Sequence, residues 1–140
     1  MTQIPSTVID TLADPIYLRH DFEIVNLTLN DLGIKNDEFI AFERKYEGPF
    51  WSERIGVELL DLYQGDRSIR SVTEICRDQF GFPDKFVVLT ELSSGQVIIL
   101  DSFSGNVYEV DFEGGEKKLI NGDLRPHWES FYQFLIDYFS

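Results

Sequence analysis

Three short apolar segments separated by glycine-containing turns lie between residues 85 and 115, and they restrict the fold more than any other feature. The segments are residues 85–92, 96–101 and 106–112, and the first turn is Ser93-Ser94-Gly95. Turns of three or four residues join antiparallel strands, whereas parallel strands need a crossover of a dozen or more residues. The sequence therefore predicts an antiparallel β-meander with its strands paired in chain order.

The third of these segments alternates between apolar and acidic side chains, which is typical of a strand with one buried face. One set of side chains is Tyr108, Val110 and Phe112, and the other is Val107, Glu109 and Asp111. We expect the first set to face the core and the second to face away from it.

Three helices are predicted from apolar periodicity together with capping residues. The first covers residues 37–46 after Asn36, and the second covers residues 68–80 before Gly81. The third follows Ser130, which is expected to form a capping box with Gln133. Its apolar stripe has the i, i+3, i+4, i+7 spacing of a helix that packs on a core, with the members Phe131, Phe134, Leu135 and Tyr138.

Four other segments have weaker patterns. Residues 6–13 predict a short helix capped by Ser6, and residues 16–25 a short strand or an extended arm. Residues 57–63 predict a strand, and residues 117–120 a fourth short strand of the meander. Together the elements predict an α+β fold: one domain over residues 1–140, with a central antiparallel sheet, flanking helices and a C-terminal amphipathic helix.

The charge of the chain restricts its partners. Twenty-five acidic and twelve basic residues give a net charge of −13. This charge repels nucleic acid and anionic membranes and attracts basic proteins, although it is also compatible with a role in solubility alone. Residues 86–116 contain six acids and no Lys or Arg, which favours a binding surface. Four of these acids are candidate partner-binding residues: Glu91, Asp101, Glu109 and Asp111.

An aromatic pair supplies a fifth candidate. Pro49-Phe50-Trp51 follows a predicted helix, and aromatic side chains in loops often anchor partner proteins. Trp51 is therefore a candidate contact, with the alternative that it folds back onto the core.

Catalytic motifs are not found. His20 and His127 are not in metal-ligand spacing, and Cys76 lies on the apolar stripe of a predicted helix, where a buried thiol is expected. Glu109 and Asp111 are compatible with acid–base chemistry or a divalent cation, but solvated strand carboxylates are far commoner. We expect no enzymatic activity, no metal and no cofactor. A single cysteine and an N-terminus without a signal-peptide pattern predict a cytoplasmic protein.

The order of several motifs resembles the SUKH superfamily, which includes the Smi/Knr yeast regulators of cell-wall synthesis and many bacterial proteins. The resemblance covers about residues 30–139. It is carried by residues 39–49, 57–62 and 97–101, by Gly105-Asn106-Val107-Tyr108, and by Ser130-Phe131 with Phe134-Leu135. The loop 50–55 departs from the common pattern and is a candidate specificity element.

The resemblance implies an α+β fold and a protein-binding function. Most bacterial members are thought to be immunity proteins that neutralise cognate toxins, often nucleases, of polymorphic or contact-dependent secretion systems. The expected partner is then a basic toxin domain. The alternative is a regulatory interaction module like the yeast members. No catalytic residue is implied.

Overall fold

The three segments of the predicted meander pair antiparallel in chain order, as the short turns require. The structure is a computed structural model that describes residues 3–92 and 95–140; the predicted turn at Ser93-Ser94 lies outside these ranges. The strands are β3 (Phe86–Val88), β4 (Gln96–Asp101) and β5 (Val107–Asp111). In register, Ile99 of β4 lies opposite both Val88 and Tyr108.

The remaining elements confirm an α+β fold. A two-stranded antiparallel sheet pairs β1 (Phe50–Trp51) with β2 (Glu58–Leu59). A 3₁₀ helix covers Pro15–Tyr17. The α-helices are α1 (Ser6–Thr11), α2 (Phe22–Leu32), α3 (Asp37–Lys45), α4 (Ile69–Phe80), α5 (Gly115–Asn121) and α6 (Phe131–Tyr138). In the described part of the chain, no helix combines the length and the apolar character that crossing a membrane requires.

The two faces of the three-stranded sheet are covered differently. Phe112 stacks on Phe82 just beyond α4, and Tyr108 makes an edge contact with Phe86. On this face Val110 is fully buried, while Tyr108 and Phe112 are only partly buried, so the predicted inward set is confirmed in part. The opposite face carries Val107, Glu109 and Asp111, as predicted from the alternation.

The opposite face is buried at one end only. Val107 is fully buried because an isolated bridge joins it to Trp128, whose ring packs edge-on against Phe134 of α6. The bridge uses both polar groups of the Val107 backbone, since its N–H donates to Trp128 and its carbonyl accepts from Trp128. Glu109 and Asp111, further along the strand, are exposed.

Capping residues explain where the predicted helices begin. Asn36 accepts a hydrogen bond from the N–H of Phe39, and Ser68 forms a reciprocal capping box with Ser71. Ser130 accepts from the N–H of Gln133 and caps α6, but the Gln133 side chain accepts from the N–H of Glu129. The predicted capping box at α6 is therefore only half formed.

Four predictions for the weaker segments need correction. Of residues 16–25, the part around Leu18 is extended and makes an isolated antiparallel bridge with Tyr46, but residues 22–25 belong to helix α2. The fourth strand predicted at residues 117–120 is wrong, because this segment lies in helix α5. Of residues 57–63, only Glu58–Leu59 is a strand. Helix α1 begins after Pro5, and Ser6 is its first residue and not its cap.

A buried ionic triad joins the N-terminal segment to the middle of the chain. The Arg19 guanidinium contacts Glu43 at 3.2 Å and Asp61 at 3.0 Å, and none of the three side chains is more than 1% exposed. Burial raises the pKa of Glu43, an effect that Arg19 opposes and Asp61 reinforces. Breaking such a buried group by removing one partner is costly because an uncompensated charge remains.

Candidate functional site

A surface groove of about 410 Å³ lies where the segment after β2 approaches the end of β3. Its lining combines carboxylates, one guanidinium and a proline: Pro49, Glu58, Gln64, Gly65, Asp66, Arg67 and Glu91. A second cavity of about 260 Å³ adjoins it, because both are lined by Arg67 and Glu91. That second cavity has an apolar floor formed by Val72, Ile75 and Leu92.

The walls of the groove are held from beneath by Asp61. One carboxylate oxygen of Asp61 accepts the N–H of Gly48 at 2.8 Å, and the other accepts the N–H of Gln64 at 3.0 Å. The chain then turns at Gly65, whose φ of +94° is unfavourable for residues with a Cβ. The chain before Pro49 and the chain at Gln64 are therefore fixed to the same buried carboxylate, which pairs with Arg19.

The groove is electrostatically negative. Glu58, Asp66 and Glu91 face a single guanidinium, that of Arg67. Arg67 contacts Glu91 at 3.5 Å, and both side chains remain substantially exposed. The ion pair accounts for Glu91, and the carboxylates of Glu58 and Asp66 remain in excess over the one basic residue of the lining. A cation that entered the groove would meet an excess of negative charge at short range.

Trp51 stands beside the groove. It lies directly opposite Glu58 in the β1–β2 pair, so the two side chains share one face of the hairpin. Its side chain is 61% exposed, whereas the neighbouring Phe50 is buried in the core. The structure thus places the indole on the surface, and the alternative that Trp51 folds back onto the core is excluded.

The five predicted partner-binding residues do not form one surface. Glu91 lines the groove together with Glu58, and Trp51 lies opposite Glu58 in the β1–β2 pair. Asp101, in contrast, is only 6% exposed, and one of its oxygens accepts the N–H groups of Phe103 and Ser104. Asp101 also lies 3.8 Å from Lys85, so it stabilises a turn and is not accessible to a partner.

Glu109 and Asp111 lie at a different place from the groove lining. Glu109 contacts Nδ1 of His127 at 3.0 Å and lines a smaller cavity of about 190 Å³ with Arg54. Asp111 accepts the N–H groups of Glu113 and Gly115, and these bonds lower the pKa of its carboxyl. Asp111 is therefore committed to the turn that leads into α5.

Three groove residues, Glu58, Asp66 and Arg67, are missed by sequence reasoning. They lie in short loops or in a two-residue strand, and none belongs to the base-free stretch on which the acidic surface is predicted. The sequence Gly65-Asp66 indicates a turn. It does not indicate that the carboxylate of Glu58 lies in the same groove.

Other reactive groups are not arranged as a site. Cys76 is fully buried in α4, and burial raises the pKa of its thiol to about 11. Within residues 3–92 and 95–140, no group of three His, Cys, Asp or Glu side chains is placed to hold a metal ion.

Comparisons with known proteins add no family to these observations. No protein-family model matches the chain. No curated protein matches it either.

Proposed function

We propose that this domain binds a basic protein without catalysing a reaction, and that the groove and Trp51 form the centre of the binding site. The observation that carries the proposal is an indole 61% exposed, directly opposite Glu58 on the rim of a groove with three carboxylates and one guanidinium. Tryptophan is among the residues that most often carry the binding energy of protein interfaces.

The groove fits a lysine or arginine side chain of the partner. The cationic head would lie among Glu58, Asp66 and Glu91, while the aliphatic stem would lie over the apolar floor of the adjoining cavity. An indole beside such a head contributes a cation–π attraction of about 0.5–2 kcal/mol. The net charge of −13 would accelerate the encounter with a basic partner.

The partner class follows from the resemblance to the SUKH superfamily. We infer an immunity protein that neutralises a cognate toxin, with a nuclease as the best-fitting chemistry. A nuclease is basic where it meets phosphate, so an acidic groove can occupy the same surface as its substrate. Such a protein acts in the cytoplasm, where a single cysteine remains reduced.

The test is binding kinetics with the partner recovered on the immobilised chain from the native cell. Replacing both Glu58 and Asp66 with Lys should slow association by about tenfold or more, because the steering charge is reversed at the site. The matched control reverses Glu113 and Glu129, two exposed acids outside the groove lining. Equal association rates for the two double variants would overturn the groove as the site.

The contribution of Trp51 to binding is tested with a separate control variant. Trp51→Ala should accelerate dissociation by about tenfold, in line with the loss of an interface anchor. Phe103→Ala removes a side chain that is 68% exposed elsewhere on the surface and should leave dissociation unchanged. A partner that is converted to product, or that binds both variants equally, would contradict the proposal.

A further inference from the structure

The ion pair between Arg67 and Glu91 lies at the boundary between the groove and the adjoining cavity. These two residues line both spaces, whereas each of the other described lining residues belongs to one of the two spaces. The remaining carboxylates belong to the groove, and the apolar floor belongs to the adjoining cavity. The pair therefore stands where the acidic space meets the apolar one.

The contact between these two side chains is weak. Nε of Arg67 lies 3.5 Å from Oε1 of Glu91, whereas a charge-assisted hydrogen bond is typically about 2.7–2.9 Å long. The side chain of Arg67 is 59% exposed and that of Glu91 is 44% exposed, so water screens the attraction. Arg67 also directly precedes Ser68, the N-cap of α4, where the helix dipole disfavours a cation. The pair can therefore open at little cost in stability.

A cation that uses both spaces has to compete with Arg67 for Glu91. In the proposed binding mode, the cationic head lies among the carboxylates of the groove and the aliphatic stem lies over the apolar floor. A side chain placed in this way crosses the boundary at which Arg67 and Glu91 meet. The Arg67 guanidinium repels that head for as long as it stays beside Glu91.

We propose that Arg67 is an internal competitor, which holds Glu91 in the free protein and is displaced from it by a lysine or arginine side chain of the partner. This inference rests on the proposed function, because it concerns the same groove. A protein with few basic residues gains too little from the groove to displace Arg67. The competition therefore favours strongly basic partners over weakly basic ones.

Binding of penta-arginine amide to the full chain, followed by calorimetry at low ionic strength, tests the competition. Arg67→Gln removes the competing guanidinium and keeps a polar side chain at the position. The variant should bind the peptide about two- to fivefold more tightly than the natural chain, which is the range that an exposed ion pair accounts for. The matched control is Arg54→Gln, which makes the same change in net charge at an exposed ion pair outside the groove lining and should leave the affinity unchanged.

A double-mutant cycle with Glu91 separates local competition from general repulsion. Competition for Glu91 disappears when that carboxylate is removed, so Arg67→Gln should tighten binding much less in a chain that already carries Glu91→Gln. General repulsion between Arg67 and the peptide does not depend on Glu91 and would tighten binding equally in both backgrounds. Circular dichroism and melting midpoints of the variants should match those of the natural chain, because both side chains are substantially exposed.

Support for the competition requires that Arg67→Gln tightens binding and that the gain is confined to the chain with Glu91. Equal affinities of the Arg67 and Arg54 variants overturn it. Equal tightening in the two Glu91 backgrounds overturns it as well, and so does a peptide that binds neither the natural chain nor the Arg67 variant.

Replacing Glu58 and Asp66 with Lys, assayed with the same peptide, separates this inference from the proposed function. If that change abolishes binding while Arg67→Gln has no effect, the groove stands as the site and the competition fails. If the peptide binds equally well after the Glu58 and Asp66 change, the groove is not the site and both proposals fail.

Discussion

The guanidinium of Arg19 lies 3.0 Å from a carboxylate oxygen of Asp61, and neither side chain is exposed to solvent. The same carboxylate group accepts the N–H groups of Gly48, which precedes the groove residue Pro49, and of Gln64, which lines the groove. The shape of the groove therefore depends on a charge pair beneath its surface. A change at Arg19 is expected to act on binding and on stability together.

Arg19→Met should destabilise the fold by about 3–5 kcal/mol, because it leaves two buried carboxylates without their cation. The control is Arg54→Met, which breaks a solvent-exposed pair with Asp137 and should cost about 1 kcal/mol or less. Urea denaturation of both variants measures the difference. Equal midpoints would mean that the triad is not the buried anchor described above.

The titration of Glu43 makes the stability that the triad contributes depend on pH. An acid with a raised pKa in the folded state binds more protons there than in the unfolded chain, so its contribution to stability falls as pH rises. Glu43→Gln keeps an oxygen acceptor for Arg19 and removes the titration. The stability of the variant relative to the natural chain should therefore improve from about pH 4 towards pH 7. A difference that is constant over this range would contradict the raised pKa.

Tyr138 ties α6 to the small sheet. Its hydroxyl accepts the N–H of Leu59 at 2.9 Å, and its one proton is shared between the carbonyl groups of Val57 at 2.6 Å and Phe50 at 3.0 Å. Tyr138→Phe leaves a buried N–H without its partner and should cost about 1–3 kcal/mol. Tyr108→Phe, on the partly buried face of the sheet, is the control. Thermal unfolding of the two variants gives the comparison.

Asp111 should matter for stability in the opposite pH range from Glu43. Hydrogen bonds from Gly115 and Glu113 lower its pKa, so its contribution is present above the ordinary aspartate value and is lost as pH falls through the lowered one. Asp111→Ala should lower the melting midpoint at pH 7, and the gap should narrow below about pH 4. A gap that persists in acid would show that the turn does not depend on the charge.

The elements that sequence predicts well are those with a cap and a complete apolar stripe. For α6, Ser130 marks the start, and all four members of its stripe are buried. Helix α2 lacks both signals. Its cap residue, Asp21, makes no capping bond, and Phe22, Ile24 and Leu27 point to solvent, so its apolar residues do not follow one face. The exposure of these three side chains is what hides the helix from an analysis by periodicity.

The candidate site was predictable only in part for a similar reason. Trp51 and Glu91 are conspicuous in the sequence, but the other two carboxylates of the groove come from the two-residue strand β2 and from the turn at Gly65-Asp66. The acidic, base-free stretch 86–116 predicts Asp101 at the surface. Its short distance from Phe103 and Ser104 along the chain allows it to bond their N–H groups, which turns it inward.

The bridge between Trp128 and Val107 has a consequence for the behaviour of the protein at high concentration. Strand β5 is an outer strand of its sheet, and an unpaired outer strand invites addition of a strand from another molecule. The bridge occupies the backbone of Val107, and the charged side chains of Glu109 and Asp111 follow along the remaining length. Together, the bridge and the two carboxylates disfavour the addition of a foreign strand along the β5 edge.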